Sequence, residues 1–426
     1  MAIDKSKYKP RVIDKTIIEF LATFGAVCIE GPKWCGKTWT SSYHSNSEFL
    51  IADPAYNFRN KELATISVAT TLEGKTPRLI DEWQEVPQIW DAVRYEVDKR
   101  ASKGQFILTG SSTPKRKGLL HSGAGRIGKL RMRTMSLHES GNSTGVVSLE
   151  ELCNGNITPN MTGKVDIQNL AEYIVRGGWP GNMDTSVKNI ALLPESYINA
   201  ILDDDTQRID DKKYDITKMK LLLRSLARNE STTATNARLA NDIKEIDDES
   251  IDSDTISTYL DVFSRMFLLD NQPPFSTNIR SPIRVKQSEK RHFCDPSLAC
   301  ALLGITPKKL IGDLNTYGLL FEALCVRDLK IYAESFGALL YHYQDYSNRE
   351  IDAVIEMPNG KWCAFEIKLG ANKIDKAAKS LLNVCSKIVE GGGIAPSVMC
   401  VICGLTNAAY KRDDGAYVVP ITALKN

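Results

Sequence analysis

Residues 31–38 read Gly31-Pro32-Lys33-Trp34-Cys35-Gly36-Lys37-Thr38 and fit G-x-x-x-x-G-K-[ST] without exception. The pattern works in one setting only, with a strand leading in and a helix starting at its lysine. Both are expected here: the β-rich run Gly25-Ala-Val-Cys-Ile-Glu30 precedes the loop, and a helical pattern follows it. Glycines let successive backbone N–H groups converge on phosphate oxygens, and the helix N-terminus adds its positive end. Lys37 then reaches the β- and γ-phosphates, and the Thr38 hydroxyl ligates Mg²⁺. Residues Gly31 to Trp39 are the candidate nucleotide-binding set, with ATP or ADP and Mg²⁺ as expected ligands.

A second element supports the first. Arg78-Leu-Ile-Asp81-Glu82 is an apolar strand ending in two carboxylates, 44 residues after Lys37. Asp81 is placed to hold Mg²⁺ through water, and Glu82 to orient or deprotonate an attacking water. The next strand, Gln105-Phe-Ile-Leu-Thr-Gly-Ser-Ser112, ends in hydroxyls where a γ-phosphate sensor belongs, with Ser111 the first choice and Thr109 the second. Helical stretches, Ile13–Phe24 and Ile89–Ala101 among them, alternate with these strands. That order predicts a parallel sheet covered on both faces.

The chain has 426 residues, enough for two to four domains. Its 54 basic and 52 acidic side chains leave a net charge of +2, so any grip on nucleic acid must come from a local patch. No apolar run approaches the ~18 residues that span a bilayer, and the start lacks a signal-peptide core. Ten scattered cysteines in so long a chain suit reduced thiols, and the location expected is cytoplasmic. Cys400-Val-Ile-Cys403 lies in an apolar strand with no partner pair at zinc-site spacing and reads as core.

Between residues 216 and 269 three helices are expected, Thr217–Arg228, Ala234–Ile243 and Asp254–Phe267, in the order of a winged helix-turn-helix. The third helix carries Ser257, Thr258, Asp261 and Arg265, and Asp242, Glu245, Asp247, Asp248 and Glu249 come just before it, an acidic neighbourhood that favours packing against protein over binding phosphate. Upstream, Arg176-Gly-Gly-Trp-Pro-Gly181 marks a sharp turn between helices.

The last third becomes strand-rich and carries a second constellation. Pro358-Asn359-Gly360 suits a three-residue hairpin loop with glycine in the left-handed position. That loop pairs Met357 with Lys361, and counting back sets Asp352 opposite Glu366 on one face, with Lys368 beside them. Two converging carboxylates suit a hard cation, and a lysine beside them can activate water for attack on phosphorus. Glu322, on an expected helix Leu319–Ile331, adds a third carboxylate. The set resembles the PD-(D/E)XK nucleases, with Glu322, Asp352, Glu366 and Lys368 at the motif positions; the resemblance implies that the carboxylates bind metal and that Asp352, Glu366 and Lys368 are catalytic.

The loop, the Asp-Glu strand and the Leu-Thr-Gly-Ser strand resemble the AAA+-type P-loop ATPases whose chains continue into a helical region, a winged helix and a conserved carboxyl-terminal domain. The likeness continues through Ala124-Gly-Arg126 and Arg176–Gly181. It implies an ATPase domain over 1–165, a helical lid over 166–215, a winged helix over 216–290 and a nuclease-like α/β domain over 291–426. It also implies a homo-oligomer, as a ring or hexamer, in which Arg126 serves a neighbouring subunit's nucleotide as an arginine finger. The family usually has an arginine and a small apolar residue where this loop has Lys33, Trp34 and Cys35; its glycines and lysine are intact. Cys35, at a helix start, is expected to react with alkylators and to be protected by nucleotide. Two functions follow: an oligomeric ATPase that binds or cuts DNA, or an ATP-switched interaction module with an inactive nuclease-like domain.

Overall fold

The computed structural model describes residues 4–113, 120–206, 212–247, 251–278 and 288–426. They divide into two units. The first gathers the described residues of 1–134, 204–213 and 261–268; the second gathers those of 135–203, 214–260 and 269–426.

The first unit is built on a parallel sheet of β1 (Ala26–Glu30), β2 (Ser47–Leu50), β3 (Arg78–Asp81), β4 (Phe106–Gly110) and β5 (Ile127–Arg131). Its order is β2-β3-β4-β1-β5, and every pairing is parallel. The central strands β1 and β4 are buried along their whole length because both faces are covered. Ala26, Cys28, Ile80 and Leu108 pack with Trp83, Trp90 and Val93 in one cluster. Val27, Ile29, Leu79 and Ile107 pack with Ile17 and Met132 in another. Each such aliphatic side chain contributes roughly 1.5–3 kcal/mol, so Ile107→Ala should cost about 2–5 kcal/mol. A parallel sheet brings the carboxyl ends of β1, β3 and β4 to one edge, the usual ligand edge of an open α/β sheet.

The second unit holds a seven-stranded sheet. Its strands are β7 (Asn160–Met161), β8 (Leu339–Gln344), β9 (Glu350–Glu356), β10 (Trp362–Lys368), β11 (Val398–Cys403), β12 (Ala408–Lys411) and β13 (Tyr417–Pro420), in the order β7-β12-β13-β11-β10-β9-β8. A separate two-stranded pair joins β6 (Val147–Ser148) to β14 (Leu424–Lys425). Residues 135–165, placed with the first domain on sequence, group with the second unit: β7 pairs with β12 of the seven-stranded sheet and β6 with β14, and neither pairs with the first sheet. The helix Leu314–Glu334 starts where Asp313 accepts from the Asn315 and Thr316 amides. The helix Ile374–Glu390 presents Leu381, Val384, Cys385 and Ile388 to Trp362 and Ala364 of β10.

Three helices, Ile216–Arg228, Asn236–Asp247 and Ser253–Arg265, lie within two residues of the expected starts. Asp242 is buried and accepts from Ser225 Oγ at 3.1 Å and Asn229 Nδ2 at 2.6 Å, so this acid ties the first two helices together. Asp248 and Glu249 lie outside the described residues. The Arg176–Gly181 turn is a packing knot: Gly178 N donates to Asp295 Oδ2 at 2.9 Å and Trp179 Nε1 to Ser297 Oγ at 2.9 Å. A Cβ at Gly178 would stand 2.1 Å from the Met135 carbonyl oxygen, which accounts for the glycine.

Candidate active site

The loop connects β1 to the helix Lys37–Tyr43. Gly36 caps that helix with φ 109°, a conformation that side chains rarely adopt. Gly31 has no room for a side chain: a Cβ there would lie 2.1 Å from the Met132 carbonyl oxygen. Lys37 is buried, and its ammonium donates to the Gly31 and Pro32 carbonyls at 2.9 and 2.8 Å. Pro32 is buried and Lys33 half-buried, while Trp34 at the loop tip is 65% exposed and Trp39 is also exposed. Cys35 corrects an expectation. Its side chain is 0% exposed, packed with Val27, Ile29 and Leu130 beneath the loop, so it supports the loop from below and is shielded from alkylators.

The acidic tip of β3 faces this loop. Asp81 Oδ1 accepts from Thr38 Oγ1 at 2.9 Å and from Thr109 Oγ1 at 2.6 Å. Burial pushes the Asp81 carboxyl above its ordinary value, against the pull of Thr109, Thr38 and Lys37. Glu82 sits in the left-handed region at φ 57°, ψ 50°, held by its own N–H donating to Thr109 Oγ1 at 3.0 Å. Its carboxylate accepts from Ser111 Oγ at 2.8 Å and from Gln84 Nε2. Thr109 is thus tied to Asp81 and Ser111 to Glu82. A hydroxyl and a carboxylate within 2.9 Å of each other are hard oxygen donors of the kind that suits Mg²⁺.

Arg126 lies elsewhere. It immediately precedes β5, where Ile127 pairs with Ala26 at the start of β1, whereas the loop follows the end of β1. One strand length, roughly 16 Å, separates Arg126 from the loop edge of the same chain. Its side chain, 46% exposed, pairs with Asp98 at 2.9 Å.

In the second unit, the hairpin register matches the sequence count. Met357 N donates to the Lys361 carbonyl at 2.8 Å, Gly360 has φ 80°, and the pairing runs through Trp362 with Glu356 to Phe365 with Ala353, one step from Asp352 and Glu366. Lys368 Nζ lies 3.1 Å from Asp352 Oδ2 and 2.9 Å from Glu366 Oε1. The Ile367 N–H donates to Asp352 Oδ2 at 2.7 Å. Glu322, on the helix Leu314–Glu334, reaches the cluster through Lys290, which is 2.7 Å from Glu322 Oε1 and 3.9 Å from Asp352 Oδ1.

Glu322, Asp352 and Glu366, the carboxylates expected to bind metal, lie in one cluster in which each is paired with an ammonium group. Among the described residues no group of three His, Cys, Asp or Glu side chains is arranged to hold a metal ion. Lys290 stands between Glu322 and Asp352, and Lys368 between Asp352 and Glu366. Burial pushes Glu322 and Glu366 each up to about 7. Burial opposes the Asp352 carboxylate too, but Lys368, Lys290 and the Ile367 N–H outweigh it and hold its pKa below the ordinary value.

Four residues that sequence reading missed or ranked lower complete these sites. Gln84 and Thr109 lie within three residues of motif positions. Arg11 donates to the Cys35 and Arg133 carbonyls at 2.7 and 2.9 Å, tying the amino-terminal arm to the loop. Lys290 is isolated in sequence from every motif, and no spacing rule reaches it. All ten cysteines are free and buried, Cys400 and Cys403 within β11, as the core reading expected. Among the described residues no helix is long and apolar enough to cross a membrane.

Residues 23–141, which contain the parallel sheet, the loop and the acidic strand tip, match the AAA domain family. Residues 167–309 and 317–424 match two domains of unknown function, DUF8612 and DUF4143. The chain is 23% identical over 347 residues to the uncharacterized proteins Mb2031c of Mycobacterium bovis and Rv2008c of Mycobacterium tuberculosis, covering 80% of this chain and 70% of each relative. Among solved structures, the Walker-type ATPase PABY2304 of Pyrococcus abyssi aligns with 70% of this chain and 97% of its own, at 13% identity and a TM-score of 0.40.

Proposed function

We propose that the chain binds ATP at residues 31–39 and hydrolyses it. The observation that carries this reading is the shared Asp81 oxygen, which joins the first hydroxyl of the loop helix to the strand tip: Thr38 and Thr109 both donate to it. In this reading the loop amides and Lys37 hold the phosphates, exchanging the lysine's two carbonyl contacts for phosphate oxygens. Thr38 and Asp81 would hold Mg²⁺, whose contribution is to offset charge on the phosphate oxygens. Glu82 accepts the proton of the attacking water or orients it, and Ser111 and Gln84 fix the direction of its carboxylate. Arg126 is too far from the loop of its own subunit to serve there, so any finger role is in trans and requires a homo-oligomer.

For the carboxyl-terminal unit, a specific observation favours an ATP-switched interaction module over DNA cleavage. The carboxylates that a nuclease-like reading assigns to metal are already engaged by Lys368 and Lys290. The acids of the three-helix region and the net charge of +2 likewise argue against a strong grip on DNA. Incubation of plasmid DNA with Mg²⁺ or Mn²⁺ tests this. No cleavage is expected, and cleavage abolished by both Asp352→Ala and Lys368→Ala would restore the nuclease reading.

A further inference from the structure

The five charged side chains of the carboxyl-terminal cluster form an alternating row: Glu322, Lys290, Asp352, Lys368, Glu366. Lys368 belongs to the sequence motif; Lys290 does not. It is delivered from outside the sheet by a backbone bridge, in which Lys290 N donates to the Gln272 carbonyl and Gln272 N to the Lys290 carbonyl, both at 2.9 Å. Gln272 in turn donates through Nε2 to the carbonyls of Tyr341 at 2.7 Å and of Asp352 at 3.1 Å. The lysine is therefore fixed at both ends, its backbone to Gln272 and its ammonium to Glu322, and its side chain is buried.

We propose that Lys290 is a built-in cation, an ammonium that holds Glu322 and Asp352 together in the position a divalent metal would otherwise take. The proposal deepens the reading of this unit as one that does not cut. Electrostatics support it. Even with all three carboxylates ionised beside two ammonium groups, the buried row carries no more than one net negative charge, and a dication added to it leaves an uncompensated positive charge in a desolvated place. Without Lys290 the row carries up to two negative charges, which a dication matches. Two carboxylate groups released around the vacated volume would supply the hard oxygen donors that Mn²⁺ or Mg²⁺ takes. Loss of Lys290 should therefore create a metal site that the wild type lacks.

The test counts Mn²⁺ bound to the full-length, nucleotide-free chain by electron paramagnetic resonance of the free ion. Wild type and Glu322→Gln should bind equal amounts, because Glu322 has no metal to lose. Lys290→Ala should bind one more Mn²⁺ than wild type, and Lys290→Ala with Glu322→Gln should lose it. A wild-type Mn²⁺ site that vanishes in Glu322→Gln overturns the proposal, as does a folded Lys290→Ala chain with no added ion. If Lys290→Ala fails to fold, the wild-type and Glu322→Gln comparison decides alone. The plasmid assay separates the two levels. A chain that cuts DNA while its Mn²⁺ count ignores Glu322 sinks the non-cleaving reading and spares Lys290. A chain that does not cut yet binds Mn²⁺ through Glu322 does the reverse.

Discussion

The Ser111 hydroxyl donates to Glu82 Oε2 at 2.8 Å, so the end of β4 sets the direction of the carboxylate at the end of β3. Ser111→Ala leaves that carboxylate with Gln84 alone, and ATP turnover should fall about tenfold with ATP affinity unchanged, by the loss of one charge-assisted hydrogen bond. Glu82→Gln should bind ATP normally and slow turnover by about 10²–10⁴, the range for a positioned general base. Single-turnover hydrolysis with parallel binding measurements checks both. A Glu82→Gln chain at the wild-type rate removes Glu82 from its role.

Burial of every thiol makes a chemical prediction. In the native chain none of the ten cysteines should react with a thiol reagent on the timescale of mixing, and all ten should react after denaturation. Peptide mapping after alkylation reads this residue by residue. Rapid native labelling of Cys35, prevented by nucleotide, would show that the loop opens far beyond this conformation.

His342 gives a pH dependence. Burial, with Lys290 repelling a second positive charge, lowers its pKa to about 4 from an ordinary value of 6.5. A depressed folded-state value means that neutral His342 stabilises the fold above about pH 6.5 and that this contribution is lost as pH falls toward 4, a total of about 3 kcal/mol. Lowering the pH from 7 to 5 should cost wild type about 2 kcal/mol more than His342→Gln in urea unfolding. Equal slopes for the two chains would contradict the assignment.

Arg126 offers a test of assembly. Arg126→Ala should keep ATP affinity and lose most turnover. Mixing it with Lys37→Ala should restore activity if the finger works across subunits, since each chain then supplies what the other lacks. Mixtures as inactive as their components would argue against a role in trans.

Much of the architecture was legible in the sequence because local chemistry and tertiary packing agree there. The 31–38 loop demanded glycines for backbone reasons, and the structure shows no space for a Cβ at Gly31. The Pro358-Asn359-Gly360 turn set a register that pairs Ala353 with Phe365, one step from Asp352 and Glu366. What sequence could not show was the third dimension of charge. Lys290 arrives through a backbone bridge to Gln272, and nothing in its neighbours marks it as the partner of Glu322. Cys35 misled for a related reason: a helix start suggests reactivity, but its side chain turns into the core. The grouping of β6 and β7 with the second unit was not legible because both are two-residue strands, too short for any periodicity to register.

The central claim is that the 31–38 loop closes on a nucleotide's phosphates through Lys37. Titration calorimetry of ATP into the full chain with Mg²⁺, beside Lys37→Ala, measures it directly. Wild type should bind one ATP per chain, and Lys37→Ala should bind about 10–100-fold more weakly, the loss of charge-assisted hydrogen bonds to phosphate. Folded wild-type protein that takes up neither ATP nor ADP, or equal affinity in the two chains, would contradict the account.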